Sequence, residues 1–189
     1  MIKLLKAVML AAVMVSAVGA QTWEAGEKVT ATLSGRTLTI KGTGSMFHYD
    51  DMDDAAPWGN SESVSNVVIV DGVTSIGTDA FAGCLGLSSV TIPNSVKSIG
   101  GGAFRYRAGL TSVTIPNSVT FIGYGAFEGC TGLTSVIVLN STPPTFEGNV
   151  FGEVNMAKVC LYVPSGGIAA YRSTNGWKAF SCIKDAASR

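Results

Sequence analysis

SSVTIPNSVKSIGGGAF runs from Ser88 to Phe104, and TSVTIPNSVTFIGYGAF runs from Thr111 to Phe127. The second stretch repeats the first after 23 residues, and the apolar positions of the two coincide. A fixed period of about 20–50 residues indicates a stacked array, because one unit of this size cannot bury its own apolar face without neighbours. The repetition therefore predicts how this chain builds its core.

The same period extends in both directions from this pair, so that rows of 23 residues align from Val64 onward. We expect each apolar residue to pack on its copy in the next row, with three phenylalanines forming one buried ladder. The apolar columns are Val64, Leu87, Leu110 and Leu133; Val67, Val90, Val113 and Val136; Ile69, Ile92, Ile115 and Val138; Val73, Val96 and Val119; Ile76, Ile99 and Ile122; and Phe81, Phe104 and Phe127.

Within one row the pattern predicts a short strand followed by a turn. Polar and apolar residues alternate from Ser112 to Ile115, as in a half-buried strand. Asn117 and Ser118 are turn residues, and the spacing L-x-x-V-x-I-x-x-N/S-x-V resembles the leucine-rich repeat pattern. We therefore predict a mainly β leucine-rich repeat solenoid of 23-residue repeats, with a β N-terminal cap and an irregular C-terminal cap.

The chain divides into four predicted segments. Residues 1–20 read as a secretory signal peptide, residues 21–63 as an N-terminal β cap, residues 64–157 as the repeat coils and residues 158–189 as a C-terminal cap. The N-terminal cap contains a hairpin signal, in which Val29 to Leu33 and Thr37 to Ile40 flank Ser34-Gly35-Arg36. In the C-terminal cap we expect a final strand near Val159 to Pro164 and a short helical turn at Ile168 to Arg172.

The N-terminal segment has the three parts of a signal peptide: a basic start with Lys3 and Lys6, an apolar run and a small-residue cleavage pattern before Gln21. It predicts export to the cell surface or the extracellular medium, with the periplasm as the alternative. No later run reaches the roughly 20 apolar residues that a membrane span requires, so we expect no span in the mature chain.

Net charge argues against a nucleic-acid partner. Cleavage after Ala20 would remove Lys3 and Lys6 and leave 11 basic against 13 acidic side chains. A protein with no basic excess has little means of neutralising phosphates.

The repeat resembles that of a known protein family. LTSVTIPNSVTFIGYGAFEGCTG, from Leu110 to Gly132, is similar to the repeat of BspA-type bacterial surface leucine-rich repeat proteins, and the resemblance runs from Val64 to Arg172. It implies secretion or surface exposure and, for several members, adhesion to proteins, cells or polymers. It implies no shared catalytic residues, and many members are much longer than this chain.

The sequence offers few residues for catalysis or for metal binding. His48 is the only histidine, and it lies in a segment that we expect to be a solvated loop. The acidic cluster of Asp50, Asp51, Asp53 and Asp54 does not fit the ligand positions of an EF-hand loop. We therefore predict no catalytic residue, no metal site and no cofactor.

The four cysteines have different expected roles. Cys84 and Cys130 lie in one column two coils apart, roughly 9–10 Å, which is beyond the reach of a disulfide, and we expect them to be buried thiols. Arg107 holds that column in the coil between them. Cys160 and Cys182 are candidates for a bridge within the C-terminal cap, but Cys160 alternates out of phase with the inward residues around it. The sequence leaves this bridge undecided.

The predicted ligand-binding surface is the outward face of the strands. Because valine and isoleucine point inward, the residues between them form a regular, weakly polar face, with neighbours about 4.8 Å apart across coils and about 7 Å apart along a strand. A second candidate surface is the corner with Tyr106 and Tyr124, although Arg105-Tyr106-Arg107 also reads as an ordinary exposed corner. The residues of the strand face are Asn66, Val68, Ser89, Thr91, Ser112, Thr114, Ser135 and Ile137.

These observations favour a binding or adhesion module that recognises a protein or a polysaccharide. A structural part of an extracellular or cell-surface assembly is the alternative. A secreted hydrolase is disfavoured, because the single histidine and the Ser/Thr-rich columns supply no convergent catalytic set.

Overall fold

The computed structural model of the protein describes residues 19–49, 55–59 and 63–189. The predicted signal peptide up to residue 18 and the acidic cluster at 50–54 lie outside the described residues. The described chain contains fourteen strands, one short α-helix and three 3₁₀ segments. They are β1 (Gln21–Gly26), β2 (Val29–Ser34), β3 (Thr37–Gly42), β4 (Gly44–Ser45), β5 (Asn66–Ile69), β6 (Val73–Ile76), β7 (Ser89–Thr91), β8 (Ser98–Ile99), β9 (Ser112–Ile115), β10 (Phe121–Ile122), β11 (Ser135–Val138), β12 (Thr145–Phe146), β13 (Cys160–Val163), α1 (Ile168–Ser173) and β14 (Cys182–Asp185).

The strands form three sheets that together wind into a solenoid. The first sheet has the order β1-β2-β3-β5-β7, in which β1, β2 and β3 are antiparallel and the later strands are parallel. The parallel sheet β14-β13-β11-β9 continues the long strands, and β12-β10-β8-β6-β4 forms a second side from very short strands. The mainly β solenoid predicted from the 23-residue period is confirmed.

The core is an aromatic ladder that follows the repeat. Phe81, Phe104 and Phe127 are buried and stacked with ring centroids 5.3 Å apart, as predicted. Phe151 extends the ladder at 5.5 Å, although it comes one residue late in the period. The C-terminal cap covers this end of the ladder, because Trp177 lies 6.1 Å from Phe151 and donates its indole proton to the Pro144 carbonyl at 2.8 Å.

The N-terminal end of the ladder is closed in a similar way. Trp58 is buried, lies 6.5 Å from Phe81 and donates its indole proton to the Ala80 carbonyl at 2.8 Å. The predicted hairpin is present as β2 and β3, with Leu33 opposite Leu38. The sequence pattern did not predict β1, which adds a third antiparallel strand outside the hairpin.

The column of Cys84, Arg107 and Cys130 is buried in all three coils. The two cysteines are free thiols, as predicted. Arg107 is only 2% exposed, so the reading of Arg105-Tyr106-Arg107 as an exposed corner is wrong for this residue. The reason is hydrogen bonding, because its guanidinium donates to the carbonyls of Ala82 and, at 2.8 Å, of Arg105.

Cys160 and Cys182 form a disulfide across β13 and β14. The out-of-phase position of Cys160, which argued against a bridge, is real but has the opposite consequence. Cys160 and Cys182 are direct partners in the parallel register, with Cα atoms 4.7 Å apart, so both point to the same outward face and meet there.

The C-terminal cap packs a single turn of helix against the last strands. Tyr171 in α1 is buried and donates its hydroxyl proton to the Asn140 carbonyl at 2.8 Å. None of the helices in the described part of the chain has the length and apolar character to cross a membrane.

Candidate binding face

The strand register aligns the outward residues in two columns. Asn66 is the partner of Ser89, and Ser112 is the partner of Ser135. The second column pairs Val68 with Thr91 and Thr114 with Ile137. The face therefore has the regular spacing of a parallel sheet, which is about 4.8 Å between strands.

The face is interrupted once, between β7 and β9, where the long strands divide into two sheets. On the other side of the same coils, β8 and β10 pair without a break, with Ile99 opposite Ile122. Ser118 also donates its hydroxyl proton to the Val96 carbonyl at 2.7 Å across this boundary. The two halves of the face therefore belong to one continuous stack of coils.

Accessibility differs along the face. Ser89, Thr91 and Thr114 are exposed, whereas Asn66, Val68, Ser112 and Ser135 are half-buried. Ile137 is only 5% exposed, so its prediction as an accessible ligand-binding residue is wrong. Its strand partners Thr114 and Tyr162 flank it on the same outward face, and the large ring of Tyr162 replaces the small side chains found earlier in the column.

Hydroxyl groups on the face bond along the columns. Ser135 Oγ donates to Ser112 Oγ at 2.9 Å, which leaves oxygen lone pairs available to a ligand. In the N-terminal cap, Thr22 and Thr32 place their Oγ1 atoms 3.1 Å apart. The surface is thus an ordered set of weak donors and acceptors.

The columns extend beyond the residues that the repeat predicts. On the N-terminal side, the register places Thr39 beside Val68, Thr32 beside Thr39 and Thr22 beside Thr32. A period of 23 residues could not reveal this extension, because short turns join β1, β2 and β3, and because Thr39 comes 29 residues before its partner Val68.

On the C-terminal side both columns change character. Cys160 and Cys182 continue the serine column as a disulfide, and Tyr162 and Lys184 continue the threonine column. Arg189 lies over the Tyr162 ring, with its guanidinium carbon 5.9 Å from the ring centroid. The face therefore ends on a cross-linked, positively charged margin.

The second candidate surface carries two exposed tyrosines. Tyr106 and Tyr124 are each about half exposed, at 51% and 52%. Arg105 lies over the Tyr124 ring at 5.9 Å and makes an ion pair with Glu128 at 2.8 Å. Tyr106 has a positive backbone φ of 59°, a conformation that residues other than glycine rarely adopt. Its ring covers Gly129, where an added Cβ would lie 2.1 Å from Tyr106 Cδ1.

His48 is exposed, and its contacts are local. Its Nδ1 atom accepts the Thr78 amide proton at 3.1 Å and lies 2.8 Å from Thr78 Oγ1. These bonds tie the segment after β4 to the first coil. Across the described ranges, no three histidine, cysteine or acidic side chains converge in the way a metal ion requires.

The repeat region of this chain matches the profile of a known protein family. The family profile described as "BspA type Leucine rich repeat region" matches residues 58–166 in six copies, which is more than half of the chain. The chain belongs to this family. No curated protein matches it.

Solved structures share the fold of this BspA-type chain. A leucine-rich repeat protein from Eubacterium ventriosum superposes with a TM-score of 0.60 at 22% identity, over 79% of this chain and 45% of that one. A leucine-rich cell surface protein from Faecalibacterium prausnitzii gives 0.51 at 23% identity, over 76% and 43%. The pneumococcal vaccine antigen PcpA gives 0.56 at 19% identity, over 79% and 40%. The chain therefore spans less than half the length of these proteins.

Proposed function

We propose that this BspA-type chain is an exported, non-enzymatic binding module that recognises a protein or a polysaccharide through the outward face of its long strands. The observation that carries the proposal is the outward face, where Asn66 pairs with Ser89 and Ser112 pairs with Ser135 at strand spacing. Ser89, Thr91 and Thr114 are exposed and present hydroxyl groups on this face. Repeat solenoids use such extended faces to contact elongated partners.

Two further observations support parts of this proposal. The basic-apolar-small pattern of residues 1–20 supports export, as does the description of the Faecalibacterium prausnitzii protein as a cell surface protein. The match to the leucine-rich repeat profile supports a binding role, because repeat solenoids present extended binding surfaces.

The test begins with a search for partners. The purified chain is incubated with matrix proteins, bacterial and animal cells, and a panel of polysaccharides, and retained partners are measured by surface plasmon resonance. A triple variant, Ser89→Lys, Thr91→Lys and Thr114→Lys, then places long charged side chains at three exposed positions of the face. We expect its affinity for a retained partner to fall about tenfold or more, because the added side chains block close approach.

A matched variant controls for the added charge. Thr74, Thr120 and Thr145 are also exposed and lie on or beside the short strands of the second sheet. Their replacement by lysine is expected to leave affinity within about twofold of the parent. Equal affinity of parent and strand-face variant would reject the face, and a chain that retains only its own copies would favour a structural assembly.

A further inference from the structure

An open pocket of about 420 Å³ lies at the C-terminal margin of the strand face, outside the residues that the repeat predicts. It is lined by three cationic side chains, Arg172, Lys178 and Lys184, together with residues 180–183, which lead into β14. All three cations are exposed. The ion pair found at 4 Å or less among the described residues joins Arg105 to Glu128, elsewhere on the solenoid, and involves none of the three. Their charges are therefore available to a ligand.

The acidic side chain closest in sequence to the pocket cations already has a hydrogen-bond partner. Asp185 follows Lys184 directly, but its Oδ1 atom accepts the Ala187 amide proton at 3.0 Å in the last 3₁₀ turn. Along residues 154–189, this aspartate is the sole acidic side chain beside five basic ones. The pocket thus has a net positive charge that its own neighbours only partly compensate.

The pocket is rigidly connected to the strand face. Cys182 lines it and is cross-linked to Cys160, the residue that continues the serine column. Lys184 continues the threonine column through Tyr162 and Ile137 to Thr114. Three strand spacings, roughly 14 Å, separate Lys184 from Thr114. A ligand of modest length can therefore contact both the pocket and the exposed hydroxyls.

We infer that this pocket binds the sulfate or carboxylate groups of an acidic polysaccharide. The inference rests on the proposed function, because it names the chemistry of the ligand that the strand face receives. Arginine and lysine together give forked and point-charge donors for such oxyanions, and the neighbouring serine and threonine hydroxyls match the hydroxyl groups of sugars.

The contacts of the edge strand favour a polysaccharide over an acidic peptide. A peptide strand that docks on β14 would need its free backbone acceptors. Arg172 Nη2 already donates to the Ile183 carbonyl at 3.5 Å, so one acceptor of this edge is occupied. Binding through side-chain cations does not need that carbonyl.

Dextran sulfate is a suitable probe, with neutral dextran and poly-glutamate as comparison polymers. We expect the parent chain to bind dextran sulfate, to ignore dextran, and to bind poly-glutamate more weakly at equal charge. Affinity should decrease as salt increases, because ions screen exposed charges. The variant Arg172→Gln, Lys178→Gln and Lys184→Gln should bind dextran sulfate about tenfold more weakly, as expected for the loss of three exposed charge contacts.

The control removes the same charge from elsewhere. Lys28, Lys41 and Lys97 are exposed and lie outside the pocket, and their replacement by glutamine should change affinity by less than about twofold. The double variant Lys178→Gln and Lys184→Gln keeps Arg172 and its bond to Ile183, which separates lost binding from lost packing. Equal losses in the pocket and control variants would mean general charge attraction and would overturn the inference.

Other outcomes are equally decisive. Failure of the parent to bind dextran sulfate, or tighter binding of poly-glutamate, would overturn the polysaccharide assignment. The lysine variants of the strand face add positive charge, so they can weaken dextran sulfate binding only by blocking the face. If the pocket variant loses binding and the face variant does not, the pocket is supported and the strand-face proposal fails.

Discussion

Arg107 shows how the interior of a repeat can accept a residue that breaks the pattern. The coils on either side hold cysteines, whose thiols donate to carbonyls of the preceding coil, at 3.1 Å for Cys130 and Phe104. Arg107 bonds the Ala82 carbonyl through its guanidinium, so it also reaches back toward the preceding coil. Its Nη1 atom has no hydrogen-bond partner among the described residues, so the hydrogen-bonding capacity of the buried guanidinium is only partly used.

The aromatic ladder gives the clearest prediction for a single residue. Phe104 has a phenylalanine ring 5.3 Å away on each side and no exposed surface. Phe104→Ala should lower the free energy of unfolding by about 3–5 kcal/mol, because it leaves a cavity in the middle coil. Chemical denaturation measures the change. Phe121→Ala is the control, since Phe121 is 38% exposed, and an equal loss in both variants would contradict a ladder-specific role.

The buried thiols predict a loss of stability at alkaline pH. Burial raises the pKa of Cys84 and of Cys130 to about 11, from an ordinary value of 9.0, against the opposing charge of Arg107. The unfolded chain therefore releases these protons first, and the folded state loses stability as pH rises from about 9 to 11. Each thiol is expected to contribute on the order of 2 kcal/mol over this range.

Urea denaturation at pH 8, 9, 10 and 11 measures this effect. The variant Cys84→Ala and Cys130→Ala should show a smaller decline between pH 9 and 11, whatever its stability at pH 8. Burial also raises the pKa of Tyr49 and Tyr171, so a residual decline above pH 10 is expected in both proteins. An identical slope for parent and variant would show that the thiols are not the cause.

At the scale of single residues, the sequence predicted the ladder but not the charged side chains. Ala103-Phe104 and its copies are spaced by the repeat, so their stacking follows from the period alone. The burial of Arg107 depends on carbonyl groups of an adjacent turn and of the coil before it, which a sequence pattern does not display. The pocket cations follow one another at six-residue intervals, but their convergence depends on how α1 packs beside β14, so the available signal was the basic excess of the last segment.

At the scale of elements, prediction was good where alternation continues and poor where it stops. Strands such as β7 and β9 were predictable because their polar and apolar residues alternate. The second sheet consists mostly of two-residue strands, such as Ser98–Ile99, which are too short to show a period. The sequence also left the disulfide undecided, because the alternation fixes only the face on which Cys160 lies. The position of β14 beside β13 decides the pairing.

The strand face also depends on how the elements end. The N-terminal hairpin extends the threonine column by sheet pairing, and the C-terminal cap replaces hydroxyls with Tyr162 and Lys184. The middle of the face is therefore neutral and the C-terminal margin is cationic. In the proposed binding mode a ligand along the strands would reach that margin, so the cap would contribute to recognition as well as to stability.

At the scale of the whole molecule, stability depends on closing both ends of the stack. Trp58 covers the first phenylalanine, and Trp177 covers the last. In such arrays each coil is stabilised mainly by its neighbours, so loss of a cap exposes the next coil and unfolding spreads from that end. The disulfide lies in the C-terminal cap, and it closes a segment of 22 residues that contains α1.

Removal of this bridge should therefore loosen one end of the solenoid first. Cys160→Ser with Cys182→Ser is expected to reduce the free energy of unfolding by about 3 kcal/mol, because the unfolded chain regains the freedom that a closed loop of this length removes. Hydrogen exchange in mild denaturant should show loss of protection in β14 and β13, then in β11. The β2–β3 hairpin should stay protected under the same conditions, because it lies at the opposite end of the stack. The parent treated with a reductant should resemble the variant, and the variant should not respond to the reductant. A uniform loss of protection along the chain would instead mean that the solenoid unfolds as one cooperative unit and that the caps do not limit its stability separately.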